Sequence, residues 1–203
     1  MIETIIDGNQ AVNDFSDIST IAEAVRKIAK TLSEDRSVIK VYLDGQDVTG
    51  QFEVQEDELS NHNRLEVTTG RMDMVALEAL ESLTDFHAAL LKELNQVSEE
   101  YRVGDEEKAH QIFAKCLDGL QILMKTTITA ANLLRMKATD IVSGENNLEK
   151  TTLDINSLLD EMIEAQTQRD VILLADLVEY ELIPSMEDWG GYMKCLQDVG
   201  SVV

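Results

Sequence analysis

The side chains of this sequence that could carry chemistry are few and scattered. Asp176 and Glu179 stand three apart, so on a helix they share one face. Two carboxylates at that spacing could bind a cation, or one could raise the pKa of the other by like-charge repulsion. The simpler expectation is that this face meets solvent or pairs with an Arg or Lys of the same fold, because acids are seldom buried unpaired. Tyr180 and Trp189 follow within the same stretch. Aromatic side chains are enriched where protein partners dock. Asp176, Glu179, Tyr180 and Trp189 are therefore the candidate partner surface.

The remaining candidates are weaker. His87 falls on an apolar stripe, where a lone histidine is expected to be a hydrogen-bonded core residue rather than a base or ligand. Glu107 and His110 have the Glu-x-x-His spacing used by carboxylate-bridged di-iron bundles. Such a site needs two copies and two further glutamates, and the chain has one copy and three histidines, His62, His87 and His110. Glu107 is better explained as an acid at a helix N-terminus. Cys116 sits at an apolar repeat position and is expected to pack as a small apolar group. No Gly-rich phosphate loop, Gly-x-Ser-x-Gly or His-Glu-x-x-His occurs. No catalytic, cofactor or metal set is expected.

Composition narrows the partners. Thirty-nine Asp and Glu against 17 Lys and Arg give a net charge of -22. That repels nucleic-acid phosphates and anionic membrane surfaces. The acid excess runs through both parts, with 14 acids and 6 bases up to Gly70 and 25 and 11 after it. The apolar content of 44% is that of a folded chain. The two cysteines form no Cys-x-x-Cys pair, which fits a reduced, cytoplasmic chain. The opening Met-Ile-Glu-Thr offers no basic or apolar leader. The longest apolar run, Val171 to Ala175, is far short of the roughly 20 residues of a membrane span.

Those residues must be positioned by two different kinds of element. Up to Gly70, short β-like runs surround one amphipathic helix. Ile2 to Ile6 reads as a strand, Asp7-Gly8-Asn9 as a turn, and Gln10 to Phe15 as a returning strand. Ile18, Ile21, Ala22, Val25, Ile28, Ala29 and Leu32 keep the spacing of one buried helix face. Asp17 is a candidate N-cap, with Thr20 and Glu23 as an alternative capping box. Ser37 to Leu43 reads as a strand, Asp44-Gly45 as a hairpin turn, and Arg64 to Thr68 as the last strand. Val41-Tyr42-Leu43-Asp44-Gly45-Gln46-Asp47-Val48 and Leu65-Glu66-Val67, in that order of elements, resemble the β-grasp (ubiquitin-like) fold. The resemblance implies a sheet with a face and an edge that bind other proteins. It does not extend to the Gly-Gly tail of modifiers and sulfur carriers, since Gly190-Gly191 is internal and the sequence closes Gly200-Ser201-Val202-Val203.

After Gly70 the pattern is helical. Ala76, Leu80, Leu83, His87, Leu90, Leu94, Val97 and Tyr101 alternate steps of four and three, the spacing of a heptad seam. Leu77, Phe86 and Leu91 widen it, which suits a multi-helix bundle. Gly104 and Asp105 break and restart the chain. Ala109, Phe113, Cys116, Leu120, Leu123, Thr127, Ala130 and Leu134 form the next seam, widened by Leu117 and Met124, in an antiparallel neighbour. Ser143-Gly144 is expected to end that helix. Leu148, Thr152, Ile155, Leu159 and Met162 mark a third helix and Val171 to Ile183 a fourth. Pro184 is expected to stop or kink the fourth. Ser185 to Val199 would add a terminal helix interrupted at Gly190-Gly191. The expected fold is α+β: a small β-grasp-like domain over residues 1–70, then an antiparallel four- or five-helix bundle over 71–203.

The function expected from these features is a non-catalytic protein-protein interaction module, an adaptor, assembly factor or chaperone. It would hold a partner segment against the bundle or the sheet edge. In charge and helicity the chain is similar to the small acidic export chaperones of bacterial flagellar and secretion systems. Two alternatives stand beside it. One is an ion-binding protein or enzyme centred on Asp176 and Glu179. The other is a structural protein that forms a homodimer through its bundle.

Overall fold

The computed structural model describes residues 3–11, 15, 18–49 and 64–201. The chain is α+β and divides into two units, Met1–Val75 and Ala76–Val203. The division falls a few residues past Gly70, inside the first turns of a long helix. Each unit has its own apolar core.

Among its described residues the first unit is a five-stranded mixed sheet with one helix. Its elements are β1 (Glu3–Ile6), β2 (Asn9–Gln10), α1 (Ile21–Ala29), β3 (Arg36–Leu43), β4 (Gln46–Asp47) and β5 (Arg64–Arg71). The strand order is β2-β1-β5-β3-β4. β1 runs parallel to β5, and the other pairs are antiparallel. Both hairpins turn through an Asp-Gly pair with positive φ at each residue, Asp7 (49°) and Gly8 (79°), Asp44 (51°) and Gly45 (83°). That turn matches the right-handed twist of the flanking strands. Ile21, Ala24, Val25 and Ile28 of α1 are buried with Val41, Leu65 and Val67 of the sheet. The helix starts at Thr20, whose hydroxyl accepts from the Glu23 amide at 3.3 Å. Glu23 in turn accepts from the Ser19 amide at 3.1 Å. The competing cap Asp17 lies outside the described residues, as do Ile2, His62 and residues 12–14 of the returning strand. Across the sheet, Asp7 ties the first hairpin to β5. Its carboxylate accepts from the Thr69 amide (2.7 Å) and hydroxyl (2.6 Å). Desolvation opposes the charge there, but these bonds and Arg36 outweigh it and hold the Asp7 carboxyl below its ordinary range.

The second unit is helical. α2 (Met72–Val103) and α3 (Glu106–Leu133) are joined by Gly104 and Asp105, and the Asp105 carboxylate caps α3 by accepting from the Glu107 and Lys108 amides. The two helices are antiparallel: Tyr101 meets His110, and Phe86 lies against Gly119. Both expected seams are buried but for half-buried His87 and Leu134.

The helical unit departs from the sequence reading at several places. First, α3 ends at Leu133, not at Ser143-Gly144. Arg135 takes a left-handed φ of 57°, and the Met136 amide bonds back to the Ala131 carbonyl at 2.9 Å. That closure satisfies carbonyls the helix would leave open. A short 3-10 turn (Ala138–Asp140) follows, then a hairpin, β6 (Val142–Ser143) and β7 (Asn146–Asn147), which turns at Gly144. Second, α4 (Leu148–Gln168) buries Thr151 and Leu158, and its expected stripe residues Thr152 and Leu159 are only half-buried. Third, Pro184 does not stop the chain. α5 (Val171–Leu177) passes through a π-helical turn (Val178–Leu182) into α6 (Ile183–Gly200). In that wide turn the Ile183 amide donates to Val178, five residues back. The widening accommodates the proline ring, and Pro184 falls in the first turn of α6, where its missing N–H costs little. α6 also runs unbroken through Gly190-Gly191.

Candidate functional site

Asp176 closes α5 and Glu179 and Tyr180 occupy the π turn, so the three side chains emerge together. Arg102, near the end of α2, reaches all of them. Its guanidinium is 2.9 Å from Asp176 Oδ1 and 3.0 Å from Glu179 Oε2. It donates to the Tyr180 hydroxyl at 3.1 Å and lies over the Tyr180 ring at 5.3 Å. Ser98 donates to Glu179 at 2.8 Å. Both carboxylates are thus engaged by a cation of the fold, and a metal ion would have to displace Arg102 to reach them. Among the described residues no three His, Cys, Asp or Glu side chains converge as a metal centre requires.

Trp189 is not at that surface. It is fully buried on α6, its indole Nε1 donating to Thr127 Oγ1 of α3 at 3.0 Å. Thr127 in turn donates to the Leu123 carbonyl at 2.8 Å. Trp189 packs edge-on against Tyr192, which shares a 2.7 Å hydrogen bond with Thr151 of α4. The indole is large and apolar with a single donor, so the bundle interior satisfies it once a threonine supplies the acceptor. Tyr180 is the aromatic residue of the set that stays exposed, at 60%.

His87 and His110 are likewise structural in their contacts. His87 Nε2 donates to the Met186 carbonyl at 2.7 Å. A Cβ added at Gly190 would sit 2.9 Å from the His87 ring, and one at Gly191 would sit 2.8 Å from the Ser143 Cβ. The two glycines are contact points at which α6 meets α2 and the β6 hairpin. His110 pairs with Tyr101 through Nδ1 at 2.8 Å and faces Glu106 through Nε2 at 3.5 Å. Its partner is thus Glu106 and not Glu107, the residue of the di-iron spacing. Burial pushes the Tyr101 hydroxyl up to about 12. Burial, with the Glu93 carboxylate beside it, also pushes the Cys116 thiol up to about 12. An acid held neutral to that degree is a poor nucleophile.

A concave feature lies elsewhere among the described residues, between α3 and α4. It is an open groove of about 660 Å³. Its floor is Phe113, Leu120 and Met162, all buried in the core. Leu117, Met124, Ile128 and Leu159 wall it, and Ile163 stands at its lip, 62% exposed. Asp118, Gln121, Lys125, Thr129, Asn156 and Gln166 supply its polar border. A side chain of this size left exposed beside other apolar groups forfeits on the order of 1–2 kcal/mol of burial, which a partner could recover. The sequence carries the signal for it: α3 has a second apolar column (Leu117, Met124, Ile128) beside its seam. The groove is missed if that column is read only as extra core.

Comparison with known proteins adds a family. No curated protein and no solved structure matches the chain. Residues 78–191, more than half of the sequence and all within the helical unit, match the domain of unknown function DUF8042, and the chain belongs to that family.

Proposed function

We propose that the protein is a non-catalytic interaction module whose helical unit holds a partner segment in the groove between α3 and α4. The observation that carries this reading is the row of incompletely buried apolar side chains, Leu117, Met124, Ile128, Leu159 and Ile163, along one open groove. The engagement of Asp176 and Glu179 by Arg102 weighs against the ion-binding alternative. The charge of -22 weighs against a homodimer through this face, since two copies would repel. For the first unit, a β-grasp assignment is supported by the strand order, the parallel pairing of the first and last described strands, and the helix α1 between the second and third. Two free cysteines, one of them buried, fit a reducing compartment such as the cytoplasm.

The test is capture from native lysate by the intact protein beside its Ile163→Gln and Met124→Gln variants. A protein retained in stoichiometric amount by the parent chain should be lost, about tenfold or more, by the variants. Ile163 is exposed enough that its replacement leaves the fold intact, which circular dichroism checks. Retention of the same partner by both variants would move the interaction off the groove.

A further inference from the structure

We infer that the occupant of the α3–α4 groove is a basic amphipathic helix of a partner protein, with its apolar face on Leu117, Met124, Leu159 and Ile163 and its cationic face toward α4. This rests on the groove reading above and names its partner. Three observations support it.

The first is shape. The groove's residues run from Phe113 to Thr129 on α3 and from Asn156 to Gln166 on α4. At 1.5 Å per residue these stretches are roughly 24 and 15 Å long. A bound helix of about 10–16 residues covers that length, with apolar anchors at i, i+3 or i+4, and i+7.

The second is hydrogen bonding. Both walls are helices whose backbone groups are already paired within the helix, so the groove offers no strand edge. An extended segment would bring unpaired N–H and C=O groups into an apolar slot. A helix brings its own satisfied.

The third is charge. Asp118 and Lys125 offset each other on the α3 side. The exposed face of α4 carries Glu149, Asp154, Asp160, Glu161 and Glu164 against the single Lys150. Asp160 and Glu164 are exposed on the solvent side of Ile163, one turn before it and next to it along α4. With a chain charge of -22, this field attracts a cationic partner and repels a second copy or an anionic lipid. Met124 and Met162 in the lining are unbranched and adapt to varied anchors.

The test uses the full chain and three labelled synthetic peptides of about 14 residues, read by fluorescence anisotropy. One is a Leu/Lys sequence with the apolar positions on one helical face. The second replaces every Lys by Glu in the same pattern. The third shuffles the first so that no face is apolar. The Leu/Lys helix is expected to bind about tenfold or more tighter than either of the others. Ile163→Gln should weaken it about tenfold. Asp160→Asn with Glu164→Gln should narrow its advantage over the Glu peptide while leaving the fold unchanged. Equal binding of the Lys and Glu helices overturns the charge assignment and leaves the groove reading standing. Equal binding of the shuffled peptide, or indifference to Ile163→Gln, means attraction to the acidic surface at large and overturns the inference. If no peptide binds, the inference fails. The groove reading fails with it only if Ile163→Gln also keeps the captured cellular protein.

Discussion

Thr127 shows how a polar side chain can be essential to an apolar interior. It is fully buried at a seam position where the repeat calls for an apolar residue. Its hydroxyl accepts from the Trp189 indole and donates to Leu123. Replacing it with the isosteric Val keeps the packing but strands the indole N–H. Thr127→Val should therefore destabilise the helical unit by about 1–3 kcal/mol, whereas Thr127→Ser should recover the hydrogen bond and lose only a methyl group. Urea unfolding followed by the emission of Trp189, the sole tryptophan, measures both. A Thr127→Val variant as stable as the parent, with the loss falling on Thr127→Ser, would show that the methyl group and not the hydrogen bond is what matters. The same logic explains why Trp189 could not be assigned from sequence. A tryptophan suits a partner surface or a core, and only the acceptor on a residue 62 positions away decides between them.

Among the elements, α6 shows how a local sequence signal can mislead. Gly190-Gly191 reads as an interruption because glycine costs a helix about 1 kcal/mol relative to alanine. Here the cost is offset by close approach to His87 and Ser143. Gly190→Ala should thus lower stability by about 1–3 kcal/mol, despite the gain in helix propensity, because the His87 ring is held by its bond to Met186. In a His87→Ala background the same change should be neutral or stabilising by about 0.5–1 kcal/mol. A double-mutant cycle in thermal or urea unfolding reads the difference, and additivity of the two changes would refute the contact. Pro184 misleads in the same direction. Its penalty assumes a regular α-helix before it, and the chain supplies a π turn instead. The caps are local: Thr20, the alternative to Asp17, and Asp105 lie next to the first turns they serve, so their side chains bond within a few residues.

At the scale of the molecule, charge is the dominant fact. With 39 acids and 17 bases, the folded chain repels itself more than the expanded unfolded chain does. Raising salt from about 20 to about 200 mM shortens the Debye length to well below the size of the protein. The melting temperature should rise over that range by a few degrees, as followed by circular dichroism. A flat or falling response would mean that the ion pairs around Arg102 and elsewhere contribute more than the self-repulsion. Among the described residues no helix is long and apolar enough to cross a membrane.

Local patterns in the chain suffice for the α+β class, the passage from strands to helices near Gly70, the seams of α2 and α3 and the Asp-Gly hairpins. Each of these rests on periodicity or on backbone preference within a few residues, which every stretch of chain carries with it. Tertiary structure alone decided that Arg102 engages Asp176 and Glu179, that Trp189 is interior, that α6 runs through both glycines, and that α3 and α4 leave a groove open. These depend on pairs far apart in sequence, such as Arg102 with Asp176 or Thr127 with Trp189. An apolar column records that a side chain prefers burial. Whether another helix arrives to bury it is settled by the packing of the whole unit.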